Sequence, residues 1–341
     1  VRLTGELKVD LLKQAINCII DRHEILKINF KTKKGKASIV KKVTEKFTIT
    51  EANNSAKALD EAVDEAHRMA LEFSLKAFDL SVDWLIRVHL IKLAKNDSVL
   101  LVNMHHSISD GWSVGIFIKE FSALYSAYVQ GQDIELPELP VQYVDYSHWQ
   151  RKWLKEVSLE NQLNFWVKQL QSAEPFLKMP TDRPRPRIQT FRGRHDYFRL
   201  PAELVTDIKQ LNKDQNVTLF MTLLTAWQIL LSRYSGQEDV SVGVPIAGRS
   251  QLETQNLIGF FVNVLVMRCH VSKEQNFIQL LKRQKAKILD AYQHQDLPFE
   301  QLVEAISPER NTSFTPLIQI GFALQNIEME CHELPDLSME P

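Results

Sequence analysis

The sequence predicts a mixed α/β protein built as two lobes. Segments with helical spacing of apolar residues alternate with short apolar, β-branched segments on both sides of residues 174–193. That stretch, EPFLKMPTDRPRPRIQTFRG, carries four prolines and is the best candidate for a linker, because proline interrupts helices and sheets. A chain of 341 residues is long enough for two lobes. We expect an N-terminal lobe at 1–175, a Pro-rich linker at 176–193 and a C-terminal lobe at 194–341.

The elements of the first lobe follow from apolar spacing. In residues 7–20 apolar side chains recur three or four positions apart, which predicts one buried helical face. Two apolar segments on either side of the polar turn AKNDS predict a hairpin, and its nearly continuous apolar second strand is expected inside a sheet. The face of the first helix consists of Leu12, Ala15, Ile16 and Ile19. The expected elements are helices at 7–20, 56–72, 113–130 and 151–171 and strands at 36–43, 84–93 and 99–104.

The second lobe has the same alternation without a sequence repeat. A long apolar helix is expected to begin at Thr218 and to end before Gly236, residue types that favour helix starts and ends respectively. The expected elements of this lobe are helices at 202–213, 218–234, 274–293 and 299–306 and strands at 239–246, 260–269 and 317–324.

Composition and charge exclude several functional classes. Lys and Arg total 41 against 42 Asp and Glu, so there is no electrostatic basis for binding nucleic acid or an anionic membrane. No apolar segment is long enough to cross a membrane, and we expect no signal peptide. Three cysteines without a CxxC pair, Cys18, Cys269 and Cys331, indicate a reducing compartment, so we expect a cytoplasmic protein. Because Val1 is not an initiator methionine, we expect a piece of a longer chain.

The segment MHHSISDGWS, residues 104–113, lies where an apolar strand gives way to a helix. Adjacent strand residues point to opposite faces, so one of His105 and His106 should face the core and the other a cavity. A structural histidine is the common alternative at such a position. A metal site is disfavoured, since the alternation separates the two imidazoles.

Three interpretations of Asp110 stay open on spacing alone. It can cap the following helix, orient His106 as an acid orients a base, or form an ion pair with a distant arginine. Gly111 indicates a backbone conformation, or a close approach, that a Cβ would hinder. Ser113 is either a helix-start hydroxyl or a donor to an oxyanion.

The whole segment resembles the His-His-x-x-x-Asp-Gly motif of the condensation domains of non-ribosomal peptide synthetases. Five further segments resemble blocks of the same family in the same order. They are RHEILKINF (22–30), YVDYSHW (143–149), IGFFVNVLVMR (258–268), HQDLPFEQLV (294–303) and PERNTSFTPLIQIGFALQN (308–326). The match covers nearly the whole chain and looks more like the subtype that joins two L-configured units. Lys27 and Thr315 depart from the family pattern. The family's opening Ser-x-x-Gln block is absent and little follows residue 326, so truncation at both ends, with an incomplete C-terminal lobe, is expected.

The resemblance implies a fold and a reaction. The fold is that of chloramphenicol acetyltransferase, two related lobes in a V-shaped pseudo-dimer. The reaction is amide formation between an acyl or peptidyl thioester donor and an aminoacyl thioester acceptor. Both substrates are carried on the 4'-phosphopantetheine arms of upstream and downstream peptidyl carrier domains, beside an adenylation domain, and no metal or cofactor is bound by the domain itself. Two rivals are a coenzyme A-dependent acyltransferase and a non-catalytic carrier-docking module of the same fold.

The resemblance also assigns roles to the motif. His106 is expected to accept a proton from the attacking amine, a task that suits an imidazole with an ordinary pKa of about 6.5. Asp110 is expected to hold the loop through an ion pair with Arg22 or Arg268. The N–H of Gly111 and the hydroxyl of Ser113 are candidate oxyanion donors.

Three further residues are expected to support the site. His105 is assigned to the core side as a scaffold residue, and Trp112 follows the motif glycine. Asn263 is expected to hydrogen-bond across the lobe junction.

Overall fold

The computed structural model describes residues 1–33, 35–42, 46–155, 159–306, 312–325 and 334–340. These residues form two compact units. Unit 1 comprises Val1–Gln150, Arg249–Phe261 and Ile327–Pro341, and unit 2 comprises Arg151–Gly248 and Val262–Asn326. The expected lobe boundaries at 175 and 194 stay predictions. Residues 176–201, which include the expected linker, contain neither helix nor strand.

The strands of unit 1 are β1 (Arg2–Gly5), β2 (Ile28–Lys33), β3 (Lys36–Lys41), β4 (Thr50–Asn53), β5 (Ile86–Ala94), β6 (Asp97–Met104) and β9 (Leu337–Glu340). Five of them form one sheet with the strand order β4-β5-β6-β1-β9. The predicted hairpin is confirmed, since β5 and β6 pair antiparallel with Ile86 opposite Met104. Strand β4 runs parallel to β5, and β1 pairs antiparallel with β6 and β9. Strands β2 and β3 form a separate hairpin. The sequence did not predict β1, β2, β4 or β9, and the end of the predicted strand 36–43, at Val43, lies outside the described residues.

Three helices complete the core of unit 1: α1 (Val9–Arg22), α2 (Leu59–Leu75) and α3 (Gly111–Val129). The buried face predicted for the first helix is confirmed, because all four of its apolar side chains are fully buried. Burying one such side chain contributes about 1.5–3 kcal/mol. Helix α3 begins at Gly111, two residues before the predicted start at 113. The end of β6 and the start of α3 therefore position the loop between them, residues 105–110.

Helix α4 (Tyr143–Trp153) and helix α5 (Leu159–Leu170) replace the single helix predicted over 151–171. The start of α4 was missed because residues 143–149 are aromatic and polar and leave no side chain of that helix buried. Residues 156–158, between the two helices, lie outside the described residues.

Unit 2 pairs β7 (Asp239–Ile246) with β8 (Asn263–His270) in one antiparallel register. Its helices confirm the predictions, with α7 capped by Thr218 and ended by Gly236 in the left-handed conformation. The helices are α6 (Ala202–Gln215), α7 (Leu219–Ser235), α8 (Phe277–Gln293) and α9 (Phe299–Ile306).

The strand predicted at 317–324 is wrong. This segment makes a single parallel bridge between Gly321 and Gly243, through hydrogen bonds that involve Ile320 and Phe322. Leu317 has a φ of 64°, in the left-handed region, which a β-strand does not accommodate. No helix in the described ranges is long and apolar enough to cross a membrane.

Candidate active site

His106 lies in the loop between the end of β6 at Met104 and the start of α3, and its side chain is exposed. Its Nδ1 is 2.7 Å from the carbonyl oxygen of Ser109. A backbone carbonyl can only accept, so Nδ1 carries the proton and donates it. In the neutral ring Nε2 is then the atom with a free lone pair, which is the arrangement that a general base requires.

His105 lies only partly on the core side to which the sequence assigned it. It is half-buried, its ring contacts that of Phe78 edge-on at 5.8 Å between centroids, and its Nδ1 is 2.8 Å from the Ser107 hydroxyl. Strand alternation does not apply because β6 has already ended at Met104. Burial lowers the pKa of His105, and the neighbouring His106 lowers it further.

Asp110 combines two of the three interpretations that the sequence left open. Its carboxylate caps α3 by accepting from the Ser113 N–H at 2.8 Å, and it forms an ion pair with Arg249 at 3.1 Å. Both charged side chains are almost fully removed from solvent, with exposed fractions of 0% for Asp110 and 2% for Arg249. Asp110 does not serve as the acceptor of the His106 Nδ1 proton, since the Ser109 carbonyl takes that place.

The predicted partners of Asp110, Arg22 and Arg268, are therefore wrong. Arg22 donates to Glu120 at 3.0 Å and to the carbonyl of Pro137. Arg268 lies in unit 2, where it pairs with Asp239 at 2.8 Å. Each guanidinium is already engaged with an acid of its own, so neither is available to the motif loop.

Arg249 also holds the segment that carries it. Its Nη1 donates to the carbonyls of Thr254 and Leu257 at 2.6 and 2.7 Å, and its guanidinium lies 4.0 Å from the ring centroid of Phe261. Burial lowers the pKa of Arg249, an effect that the charge of Asp110 opposes. The sequence offered no signal for this pairing, because GRSQLET carries no helical or strand periodicity and lies far from the motif.

Ser113 does not fit the predicted role of an oxyanion donor. Its hydroxyl is fully buried and accepts from Gly259 N–H and from Arg249 Nη2, both at 3.0 Å. Its own proton has acceptors in Asp110 Oδ1 at 2.7 Å and Gly259 O at 2.9 Å. A hydroxyl surrounded in this way is a structural connection between α3 and the segment 249–261.

Gly111 stands at the first position of α3 and is exposed. A Cβ at this glycine would meet no protein atom within 4 Å, so neither local packing nor a positive φ explains the glycine. Its N–H belongs to the first helical turn, where backbone donors have no partner within the helix. The assignment of this N–H as an oxyanion donor stays a prediction.

Of the two remaining support residues, Trp112 lies beside the motif loop and Asn263 lies in unit 2. Trp112 is 41% exposed, and its Nε1 donates to the Gln255 carbonyl at 2.9 Å. Asn263 was expected to bond across the lobe junction. All four of its side-chain hydrogen bonds stay within unit 2, so this expectation is wrong. The partners are Gln295 O, Leu297 O, Val264 N and Phe299 N.

A buried pair was not anticipated: Glu120 on α3 and His23, the residue that directly follows α1. His23 is 1% exposed, and its Nε2 is 2.9 Å from Glu120 Oε2. Its Nδ1 accepts from the N–H of Ile258, which leaves Nε2–H as the donor to the carboxylate in the neutral ring. His23 and Glu120 thus give the segment 249–261 a second attachment to the helices of unit 1.

Tyr143, the first residue of the segment YVDYSHW, has a polar role as well as a packing role. Its hydroxyl donates to the Phe260 carbonyl at 2.7 Å, and its ring fills the space where a Cβ at Gly259 would lie. Burial raises the pKa of Tyr143 to about 12. The segments YVDYSHW and IGFFVN were each noted in the sequence, but nothing in their spacing shows that they meet.

The condensation domain family model matches residues 1–340. The chain belongs to the condensation domain family. This condensation domain is 45% identical over 335 residues to a linear gramicidin synthase protein of Brevibacillus parabrevis. That alignment covers 98% of the chain but 6% of the synthase protein, so the chain spans a small part of the length of the curated relative it matches.

Solved structures agree with the family assignment. The X-domain in its complex with OxyB from teicoplanin biosynthesis matches this condensation domain with a TM-score of 0.88 at 25% identity, over 100% of this chain and 74% of that one. The condensation domain from the monacolin K polyketide synthase MokA matches with a TM-score of 0.79 at 20% identity, over 100% and 78%. The predicted fold class, a mixed α/β chloramphenicol acetyltransferase-like fold, is therefore confirmed.

Proposed function

We propose that this condensation domain is an acyltransferase that forms an amide bond between two carrier-bound thioesters in non-ribosomal peptide synthesis. The amine of an aminoacyl acceptor attacks the thioester carbonyl of an acyl or peptidyl donor. The tetrahedral intermediate loses a proton from its ammonium group and expels the donor's thiol, leaving the lengthened amide on the acceptor arm.

The observation that carries the proposal is the hydrogen bond from His106 Nδ1 to the Ser109 carbonyl. It sets the tautomer in which Nε2 can take the proton from the attacking amine, and the exposed ring leaves that atom accessible. The buried pair of Asp110 and Arg249 keeps the loop in place without touching the reacting atoms.

Positioning is the larger contribution to the rate. Holding two reactants in line contributes about 7–11 kcal/mol, whereas a positioned base contributes about 10²–10⁴-fold, or roughly 3–5 kcal/mol. A free α-amino group with a pKa near 7.7–8.0 is already partly neutral at neutral pH. His106 is therefore most useful after the attack, when the ammonium of the intermediate must lose its proton.

The proposal includes partners of stated chemistry. The donor and acceptor are presented on 4'-phosphopantetheine by an upstream and a downstream peptidyl carrier domain, in a cytoplasmic synthetase that also carries an adenylation domain. The domain supplies the base and the alignment, and no cofactor or metal of its own takes part. The resemblance of GRSQLETQNLIGFFVNVLV and HQDLPFEQLV to the subtype for two L-configured units supports an L-configured donor residue.

The test compares a carrier-bound donor with a coenzyme A-bound donor in reactions with the same protein. The protein is incubated with an aminoacyl carrier as acceptor and with the same acyl group on a carrier domain or on coenzyme A, and amide formation on the acceptor arm is followed by mass spectrometry. We expect amide from the carrier-bound donor and much less from coenzyme A. Equal turnover of both donors would support the coenzyme A-dependent acyltransferase instead.

A second candidate function is a docking module without catalysis. It is favoured by the likeness to an X-domain whose solved structure is a complex with OxyB. Binding measurements distinguish it: if the chain binds loaded carriers yet forms no amide with any pair of substrates, the docking function replaces the catalytic one.

A further inference from the structure

The backbone of residues 259–261 is held by three side chains, those of Asp110 before α3, Ser113 on α3 and Tyr143 on α4. The Gly259 N–H donates to Ser113 Oγ, and the Gly259 carbonyl lies 2.9 Å from the same hydroxyl. The Phe260 carbonyl accepts from the Tyr143 hydroxyl at 2.7 Å, and the Phe261 N–H donates to Asp110 Oδ2 at 3.0 Å. Three consecutive residues are thus fixed through their main chains. The backbone position from which the Phe260 side chain extends is therefore fixed too.

That middle side chain contacts the proposed base. The rings of Phe260 and His106 lie 5.3 Å apart with an angle of 80° between their planes, which is a favourable edge-to-face geometry. Phe260 is 36% exposed, so part of this side chain faces solvent beside the contact with His106. A second restraint on the imidazole, among the described residues, is the hydrogen bond from Nδ1 to the Ser109 carbonyl, which fixes Nδ1 but permits the ring to tilt about that bond.

We propose that Phe260 is a positioning residue that holds the His106 ring in the orientation in which Nδ1 donates to Ser109. The expected change in kcat rests on the proposed function. The orientation of the His106 ring does not depend on turnover. Without the aromatic ring, the imidazole is free to leave the Ser109 carbonyl, and part of the population has the proton on Nε2 and no base at the reacting side. The segment 249–261 then acts on catalysis through the base, without contacting the substrates.

The experiment compares Phe260→Ala, Phe260→Tyr and the unaltered 341-residue chain. The tautomer of His106 is measured by ¹⁵N NMR of histidine-labelled protein, with the resonance assigned through a His106→Gln spectrum, and steady-state kinetics are measured with both carrier-bound substrates. An aromatic edge-to-face contact corresponds to about a two- to tenfold effect. We expect Phe260→Ala to reduce kcat by that factor, to leave KM for both carriers unchanged and to lower the population protonated on Nδ1. Phe260→Tyr keeps the ring and restores both readouts.

A matched control exists in the same unit. Phe73 and His89 also form a ring pair, with centroids 5.8 Å apart, outside the motif loop. Phe73→Ala should leave the His106 tautomer and kcat at the values of the unaltered chain.

Two results would overturn the inference. One is an unchanged tautomer and kcat in Phe260→Ala. The other is a raised KM at constant kcat, which would make Phe260 a substrate contact. A chain that forms no amide at all defeats the proposed function, and the NMR comparison then still decides the orientation claim.

Discussion

Asp110 and Arg249 form a buried ion pair that joins positions 139 residues apart in the sequence. The carboxylate also accepts from two backbone N–H groups, those of Ser113 and Phe261. The guanidinium in turn donates to two carbonyls of its own segment. A charge in this position is expensive to bury unless its partners are all present. The start of α3 and the segment 249–261 therefore depend on each other.

Removing one partner of this pair should destabilise the fold. We expect Arg249→Ala to lower the free energy of unfolding by about 3–5 kcal/mol, because Asp110 would keep a buried charge without a counterion. Chemical denaturation measures the loss. The matched control is Arg194→Ala, since Arg194 pairs with Asp196 at 2.7 Å but both side chains are mostly exposed, and less than about 1 kcal/mol is expected. Similar losses for the two variants would show that the buried pair has no special role.

Replacing His106 should affect turnover and leave stability unchanged. We expect His106→Ala to reduce the rate of amide formation by about 10²–10⁴-fold, since it removes the base but not the alignment of the substrates. Because the side chain is exposed, the free energy of unfolding should change by less than about 0.5 kcal/mol. His67→Ala, at an exposed histidine on α2, is the control for both measurements. Full activity in His106→Ala would remove the proton-transfer role.

Ser113→Ala distinguishes a structural hydroxyl from an oxyanion donor. Removing the hydroxyl leaves Gly259 N–H without its acceptor in a buried place, so the free energy of unfolding should fall by about 1–3 kcal/mol. Turnover per folded molecule should fall by less than about tenfold, whereas loss of an oxyanion donor costs about 10²–10³-fold. A loss of that larger size with unchanged stability would restore the catalytic role for Ser113.

The close approach of Tyr143 to Gly259 predicts a steric effect. In Gly259→Ala the new methyl group would overlap the tyrosine ring, and we expect about 1–3 kcal/mol of destabilisation from the forced displacement. Gly115→Ala is the matched control, because Gly115 lies inside α3 with open space around it. That variant should gain about 0.5–1 kcal/mol from the higher helix propensity of alanine. Thermal unfolding of both proteins checks the opposite signs.

The raised pKa of Tyr143 predicts alkaline unfolding. The phenol titrates near pH 10 in the unfolded chain and at about pH 12 in the folded protein, so between these values the folded state binds more protons. The contribution of this phenol to the free energy of unfolding is complete below pH 10. About 2–3 kcal/mol of it is lost as the pH rises to 12. Tyr143→Phe should reduce this loss, and the exposed Tyr234→Phe should not. Denaturation at a series of pH values measures this loss of stability. An identical pH dependence in Tyr143→Phe would contradict its assignment to Tyr143.

Local patterns predicted the helices that bury a strong apolar face. The buried face of α1 and the hairpin of β5 and β6 follow directly from the spacing of apolar residues, which burial then enforces. The short strands β1, β4 and β9 were missed because each has only four residues, too few to show a period, and each depends on partners distant in sequence. Strand pairing of that kind is decided by tertiary contacts and not by local propensity.

The candidate site was predictable only in part for the same reason. The motif loop and the exposed His106 were found because their residues lie within one decapeptide. Arg249 was missed because the choice of an ion-pair partner depends on which arginine the fold brings to Asp110, and two others were equally plausible by type. His105 is only half-buried because the two histidines follow the end of β6 at Met104, where strand alternation no longer applies.

The assignment of Arg249–Phe261 to unit 1 matters for exchanging parts between related synthetases. A crossover between two parent genes at any position from 151 to 248 would combine the Asp110 loop of one parent with Arg249, Gly259 and Phe261 of the other. Chimeras that also carry codons 249–261 from the parent of the first 150 residues keep those co-adapted groups together, and should yield more intact hybrid enzyme than a single cut does.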